Sequence, residues 1–330
     1  MEYVEQFKEV MSFAHTFFTN NIIYWCLVNA FIATCISSCI GLIVFRYPKM
    51  VEWKTEQDIN EIMESKGKEK PFASREKPDG LSFPGSRCDH CHTPLKFWHN
   101  IPILGWLMLR GKCGFCKGKI PVSSLMVEVA GALLGAGLAY YMGVTPWVFA
   151  WIGFFSILIP AIWIDWNTCW LLDEFTDKLI WGGLILSALA GGESKYIPPF
   201  MVSFLGLIVG YMVLYMTNAF SKLVFKKEGI GEGDFKLLGA MGVWFGTCWV
   251  LHGLLLAIVF GVLFNGIHAY RVNRMSEEEL NNFAQKEGFP FGPSLAFGVL
   301  AAFVIYYFNI IPDNATFTWP VGKDIIDYYH

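Results

Sequence analysis

Long apolar segments with few or no charged side chains alternate with short polar segments along most of this chain. A helix crosses a bilayer core with about 20 apolar residues, so each of these segments is suited to at least one span. Two of them are long enough for a pair of helices, and the pattern therefore predicts eight transmembrane helices. The segments are residues 16–45, 129–164, 175–192, 196–221, 237–270 and 289–312.

The two double segments each need an internal turn. In segment 129–164 we predict it at residues 143–146, where a glycine and a proline occur. Segment 237–270 holds two histidines but no formal charge, and we predict two short helices there. The predicted fold class is an all-α polytopic membrane protein, with one sizeable soluble loop, residues 46–128, between the first two helices.

The composition agrees with a chain whose solvent is mostly lipid. It is 54% hydrophobic and only 16% charged, against about 25% charged residues in average globular proteins. Such a chain has ample apolar surface to bury, which excludes a disordered, collagen-like or disulfide-scaffold class. The net charge of -3 gives no indication of a nucleic-acid partner, and the expected surroundings are membrane lipid.

The distribution of Lys and Arg predicts the orientation. Fourteen of them lie between Arg46 and Lys119, and the opposite side of an eight-helix topology carries only Lys8, Lys195 and Lys323. Positively charged loops stay in the cytoplasm, so both termini are expected outside. The predicted parts are an N-terminal segment with the first helix (1–45), the cytoplasmic loop (46–128), a seven-helix membrane domain (129–312) and a C-terminal tail (313–330).

Two Cys-x-x-Cys pairs lie in the soluble loop, Cys88 with Cys91 and Cys113 with Cys116, separated by 21 residues. Each pair can place two thiolates on one turn, and two such turns complete a tetrahedral site that suits a structural zinc ion. Cytosolic thiols stay reduced, which argues against disulfides. The alternatives are four thiols without a metal, or replacement of a cysteine by a nearby histidine. Those histidines are His90, His92 and His99.

The Lys- and Glu-rich stretch 54–80 precedes these cysteines and has little aliphatic content. Such a composition buries little apolar surface. We predict a flexible or partly helical insertion.

Four aspartates cluster at the predicted cytoplasmic ends of the helices. Asp165 ends the third helix, Asp173 and Asp177 open the fourth, and Asp234 opens the sixth. An ionisable residue in a span costs about 2.5–3.5 kcal/mol at the bilayer centre, which favours a functional role. Two carboxylates on separate helices at one depth can share a proton, so one activates water and the other acts as an acid. This is the chemistry of an aspartic protease.

Helix capping is the competing explanation for these aspartates. A carboxylate at a helix N-terminus stabilises free amides and the helix dipole, and this explains Asp173 and Asp177 better than catalysis does. Asp165 lies at a helix C-terminus, where the dipole disfavours it, and Asp234 follows three alternating glycines. Spacing alone leaves both explanations open for Asp165 and Asp234. The glycines, Gly229, Gly231 and Gly233, allow the backbone to approach a substrate strand closely.

An ordered series of motifs resembles the type IV prepilin leader peptidases, bacterial aspartic peptidases of the Gly-x-Gly-Asp type. The most specific segment is Gly-Ile-Gly-Glu-Gly-Asp-Phe-Lys at residues 229–236. The Phe-Pro-Phe-Gly-Pro sequence at 289–293 resembles the family's loop before the last helix. The other segments are residues 41–50, 86–91, 100–107, 110–116, 121–128 and 165–176.

This resemblance implies an activity, its substrates and a location. Asp165 and Asp234 would be the catalytic pair that cleaves type IV pilin-like precursors after a glycine. Members with the cysteine lobe also methylate the new N-terminal residue with S-adenosylmethionine as methyl donor. The location implied is the bacterial inner membrane, with periplasmic termini and a cytoplasmic zinc lobe.

Three alternative functions predict different positions or motifs for the same residues. A metal or ion transporter with a zinc-sensing lobe would place its acids near mid-membrane, whereas these lie at one edge. A non-catalytic scaffold of a secretion machine would not need the intact 229–234 segment. Presenilin-like proteolysis shares Gly-x-Gly-Asp but expects Tyr-Asp at the first site, where this chain has Ile164 before Asp165.

Overall fold

The computed structural model describes residues 2–73, 75–81, 85, 87–88, 90–120, 122–192, 194–226, 229–272 and 290–310. Within these residues the regular structure is helical, apart from two isolated bridges. The chain divides into two compact units, one up to Ser156 and one from Ile157 onward. Most of the predicted loop 271–288 and the predicted tail 313–330 lie outside the described residues.

The first unit is built around two long helices that pack closely. It contains α1 (Glu2–Asn20), α2 (Ile22–Ser65), α3 (Leu104–Leu109), α4 (Val122–Met142) and the start of α5 (Trp147–Thr168). Gly135 of α4 faces α2, where an added Cβ would lie 2.5 Å from the Asn29 carbonyl oxygen. Small residues of this kind let membrane helices approach each other without a side chain between the backbones.

Helix α2 is longer than the span predicted within it. It continues past residue 45, through Pro48, and ends at Ser65, so part of the predicted loop 46–128 is helical. The rest of the insertion runs back along α2 and is held there by polar contacts. Asn60 Nδ2 donates to the Phe72 carbonyl and Asn60 Oδ1 accepts from the Phe72 N–H, both at 3.1 Å. Further contacts join Trp53 to Arg75 (3.2 Å), Glu56 to Arg75 (3.3 Å) and Arg46 to Gly80 (2.9 Å).

The second unit surrounds one buried helix. It contains α6 (Asp173–Ala190), α7 (Phe200–Phe225), α8 (Glu232–Phe245), α9 (Thr247–Val272) and α10 (Gly292–Ile310). Helix α8 packs against the other four, and every residue from Leu237 to Phe245 is buried. Close approach to α7 depends on Gly206 and Gly242, whose backbones leave no room for a side chain.

Five helices in the described residues are long and apolar enough to cross a membrane. The predicted turn near residues 143–146 is confirmed, since α4 ends at Met142 and α5 begins at Trp147. Segment 237–270 divides into two helices, because Gly246 with φ +79° separates α8 from α9, but only α9 is a candidate span. The five candidates are Ile22–Ser65, Ser124–Met142, Trp147–Thr168, Phe200–Phe225 and Thr247–Phe264, with Gly292–Ile305 as a shorter apolar helix.

Candidate active site and metal centre

Asp165 lies near the C-terminal end of α5 and is only 4% exposed. The backbone N–H of Gly292, the first residue of α10, donates to Asp165 Oδ2 at 2.9 Å. A buried carboxylate requires such a partner, because burial without a hydrogen bond is costly. The start of the last helix therefore holds the carboxylate at the end of α5.

Asp234 lies in the first turn of α8, whose N-cap is Gly231. Its side chain is half-buried, and its carboxyl group is near enough to that of Asp165 for the two to repel each other if both were ionised. Leu237, one turn further along α8, lies close to Gly292, the residue that contacts Asp165. The structure thus brings together the two aspartates that the sequence analysis selected, at helix ends and not in mid-helix.

Each of the three glycines before Asp234 has a different structural role. An added Cβ at Gly233 would lie 2.9 Å from the Leu171 carbonyl oxygen, so this glycine lets α8 begin against the segment that follows α5. Gly231 leaves room beside the Asp234 carboxylate, where its Cβ would lie 3.5 Å from Oδ2. The side-chain oxygen of Asn218 on α7 accepts the N–H of Gly229 at 3.1 Å. These contacts fix the first residue of α8 and hence the position of the Asp234 backbone.

Asp173 has a different environment from the pair. It begins α6, and its Oδ2 lies 2.7 Å from Lys236 Nζ on α8. The Asp173 side chain is mostly exposed. This ion pair joins the starts of α6 and α8, and the N-cap position of α6 is Leu172 and not Asp173.

The four predicted cysteines lie together in the lobe between α2 and α4. Their Sγ atoms are all within 4.8 Å of one another, and the Cys88 and Cys116 Sγ atoms are 3.8 Å apart. A tetrahedral zinc site with Zn–S bonds of about 2.3 Å has S–S edges of about 3.8 Å. Among the described residues this cluster contains cysteines alone, without His90, His92 or His99.

The two Cys-x-x-Cys turns have the same backbone geometry. In the first, the Cys88 N–H donates to Thr93 and the His92 N–H donates to Cys88. In the second, Cys113 donates to Gly118, and Lys117 donates to Cys113. The residue after each pair has a positive φ: 54° at His92 and 60° at Lys117. Two equivalent turns facing each other present two pairs of sulfur atoms to one point.

The chemistry of these thiols suits a divalent metal. Hydrogen bonds from Thr93 lower the pKa of Cys91 to about 6. Backbone hydrogen bonds from Phe115 and Cys116 lower the pKa of Cys113. Burial and the neighbouring thiols raise the pKa of Cys116 to about 11, so the thiolate form is favoured at Cys91 and Cys113 and not at all four positions. The four-cysteine ligand set is the one that suits structural zinc. With four protein ligands, the ion would have no open position for a substrate.

Sequence reasoning did not identify the contacts of Gly292 or Asn218. Gly292 lies within the Phe-Pro-Phe-Gly-Pro segment. This motif indicated that the segment belongs to the family pattern but did not predict the hydrogen bond to Asp165. Asn218 lies in an apolar helix without any distinctive neighbouring motif. Each contact is a hydrogen bond from a backbone N–H to a side-chain oxygen, and backbone N–H groups carry no pattern in the side-chain sequence.

Comparison with known proteins identifies two matched regions. The Bacterial Peptidase A24 N-terminal domain matches residues 31–142, and the Type IV leader peptidase family matches residues 152–266. Solved structures gave no match.

Curated relatives match over most of the chain. The Prepilin leader peptidase/N-methyltransferase of Aeromonas hydrophila is 33% identical over 276 residues, which is 83% of this chain and 88% of that protein. Proteins of the same name from Xanthomonas campestris pv. campestris and Pseudomonas putida are 30% and 31% identical. They cover 89% and 85% of this chain, and 90% and 91% of their own lengths respectively. The chain therefore belongs to the type IV prepilin leader peptidase/N-methyltransferase family.

Proposed function

We propose that this protein cleaves the leader peptide of type IV pilin-like precursors and methylates the new N-terminal residue. The observation that carries the proposal is the juxtaposition of Asp165 and Asp234 at helix ends, with the Gly292 amide on Asp165. Similarity to named relatives over more than four-fifths of the chain supports the same function.

The pair supplies both groups that peptide hydrolysis needs. Two adjacent carboxylates in a poorly solvated site cannot both be ionised, so they hold one proton between them. The ionised carboxylate takes a proton from a water molecule while the oxygen of that water attacks the scissile carbonyl carbon. The protonated carboxyl group donates its proton to the carbonyl oxygen. When the tetrahedral intermediate collapses, the C–N bond breaks and the leaving amine takes a proton. The Gly292 N–H keeps the Asp165 carboxylate oriented during these steps.

The expected depth of Asp165 and Asp234 in the membrane matches that of the scissile bond in a pilin precursor. We infer eight transmembrane helices with both termini periplasmic and the lobe cytoplasmic, in the inner membrane. A pilin precursor carries a short basic leader before an apolar helix, and its scissile bond lies at the cytoplasmic boundary. Asp165 near the end of α5 and Asp234 at the start of α8 occupy this boundary in that topology. An ion pathway would instead place its acids along the helices.

Methylation adds a second reaction at the same amine. S-adenosylmethionine, when bound, would supply an electrophilic methyl group to the neutral amine: the S–CH₃ bond would break as the N–C bond forms, S-adenosylhomocysteine would leave, and the amine would lose a proton. The aspartates are not needed for that step. We assign Cys88, Cys91, Cys113 and Cys116 to a structural zinc ion, whose contribution is the shape of the lobe.

The test is co-expression of the full-length protein with a prepilin, followed by measurement of the N-terminal mass of the product. The wild-type protein should yield a shortened, methylated chain. Asp165→Asn and Asp234→Asn should leave the precursor intact, at unchanged levels of membrane-inserted protein. Cleavage at a near wild-type rate by either variant would contradict the assignment of the pair.

A further inference from the structure

The lobe exposes a set of large apolar side chains. Phe97 is 75% exposed, Met108 is 68%, and Leu104 and Leu107 are each more than half exposed. Trp98 and Phe115 are also exposed. Soluble surfaces rarely carry contiguous apolar patches of this kind unless they bind a partner or a membrane. We call Phe97, Trp98, Leu104, Leu107, Met108 and Phe115 the apolar patch.

Three of the six patch residues lie on helix α3. Leu104, Leu107 and Met108 have the i, i+3, i+4 spacing of one helix face, and on α3 that face is turned outward. The buried residue of α3 is Gly105, which packs against the backbone of His99. All six residues of α3 are apolar, and such a helix is normally buried, yet three of its large side chains are exposed.

Aromatic contacts join the other members of the patch. The Phe97 and Trp98 rings are 5.0 Å apart between centroids, and Trp98 and His99 are 6.2 Å apart. The His99 ring lies 5.9 Å from that of Phe115, in the second cysteine turn. These ring contacts join the aromatic members of the patch to the second cysteine turn, and the His99 backbone packs against Gly105 of α3.

Most of the charged side chains on the segments that carry the patch are basic. Residues 92–127 contain no Asp or Glu, and their five basic side chains are all exposed. Lys96 Nζ lies 5.2 Å from the centroid of the Trp98 ring, directly beside the patch. An apolar face bordered by Lys and Arg is typical of surfaces that insert among anionic lipid headgroups. The basic residues are Lys96, Arg110, Lys112, Lys117 and Lys119.

The patch is also tied to a membrane helix. The Ile103 N–H, just before α3, donates to Glu128 Oε2 on α4 at 2.7 Å. A candidate membrane span begins at Ser124 of the same helix. This bond fixes the start of α3 to the first turns of α4, and so within reach of the headgroup layer.

We propose that the apolar patch inserts into the anionic cytoplasmic leaflet and docks the lobe on the membrane surface. The exposed basic side chains and the link to α4, a candidate membrane helix, together favour lipid over a protein partner. Docking would limit the lobe to orientations that face the bilayer. The proposal depends on the cytoplasmic placement of the lobe but not on the aspartate pair.

The experiment places an environment-sensitive fluorescent amino acid at position 97 of the full-length protein by amber suppression. The protein is reconstituted in nanodiscs of phosphatidylcholine, with or without phosphatidylglycerol, and with brominated acyl chains as quenchers. We expect strong quenching that increases with phosphatidylglycerol. The matched control carries the probe at Phe72, an exposed aromatic residue on the returning segment along α2, and should be quenched little.

Three further variants test whether basic and apolar side chains cause the quenching. Lys96→Gln and Lys119→Gln should each weaken docking to the anionic leaflet about fivefold. Leu107→Gln with Met108→Gln should abolish quenching at position 97, while zinc content confirms that the lobe is folded. Equal quenching at positions 97 and 72, or quenching at 97 that ignores phosphatidylglycerol, would overturn the proposal. Crosslinks between two chains through the patch would also overturn it, in favour of a second copy.

Discussion

The aspartate pair and the cysteine lobe are built in opposite ways. Asp165 receives its hydrogen bond from a residue 127 positions away, and its place depends on how buried helices pack. The cysteine cluster is formed by two short turns of equivalent geometry, each closed by its own backbone hydrogen bonds. The first site depends on contacts between distant helices, whereas the second depends on two local turns whose cysteines could hold a metal ion. The two should therefore respond differently to mutation.

The largest expected effect separates the two reactions. Asp165→Asn or Asp234→Asn should lower cleavage by more than about 100-fold, the contribution typical of a positioned acid or base. The same variants should still methylate a pilin peptide supplied already cleaved, because methyl transfer needs no carboxylate pair. Mass spectrometry of both substrates with each variant measures this. Loss of methylation in the Asp variants would show that the pair serves both reactions.

Cys→Ser changes at Cys88, Cys91, Cys113 or Cys116 should disrupt the cysteine lobe. The purified wild-type protein should carry about one zinc ion per chain, and each change should release it and unfold the lobe, since binding energy and folding are coupled in such sites. We expect methylation to fall more than cleavage. Metal analysis and limited proteolysis provide the check. A compact, protease-resistant lobe in metal-free protein would contradict the zinc assignment.

Gly292→Ala tests the long-range contact of the aspartate site. An added Cβ would lie 2.6 Å from Asp165 Oδ2, so the carboxylate or α10 must move. A displacement of about 1 Å at a catalytic group can cost about 100-fold in rate, and cleavage should fall by a factor of that order. Zinc content should not change. Gly182→Ala is the matched control, because its Cβ would meet nothing within 4 Å, and it should cleave normally.

A smaller effect is expected for Asp173→Asn, which removes the carboxylate that pairs with Lys236. Exposed ion pairs contribute about 0–1 kcal/mol, so cleavage should fall less than about fivefold. A rate comparison with Asp165→Asn in the same membranes measures the difference. An equal loss in the two variants would mean that Asp173 belongs to the reacting group.

The smallest effect on activity is expected in the returning segment along α2. Asn60→Ala removes both hydrogen bonds to Phe72 and should make residues 72–80 more sensitive to limited proteolysis. Cleavage and methylation should both remain at wild-type rates, because the segment is neither part of the aspartate site nor of the cysteine turns. A defect in either reaction would assign the segment a functional role. Ser65→Ala, at the exposed end of α2, serves as the control.

Much of this arrangement could be predicted because it is encoded locally. Helix breaks follow glycine and proline, as at Gly246 and between α4 and α5. The returning segment could not be predicted, since its anchors are single polar residues such as Trp53 and Asn60 on a charged helix. Nor could the outward apolar face of α3, because its spacing is the same as that of a buried helix.

The sequence by itself determined the apolar segments, the bias of basic residues to one side and the two Cys-x-x-Cys turns. Each of these depends on neighbours within one helix or one turn, where spacing dictates geometry. Only the tertiary structure decided that the start of α10 supports Asp165 and that Gly233 lets α8 begin against Leu171. Such contacts are made by backbone groups far apart in the chain, and they exist only once the helices have packed.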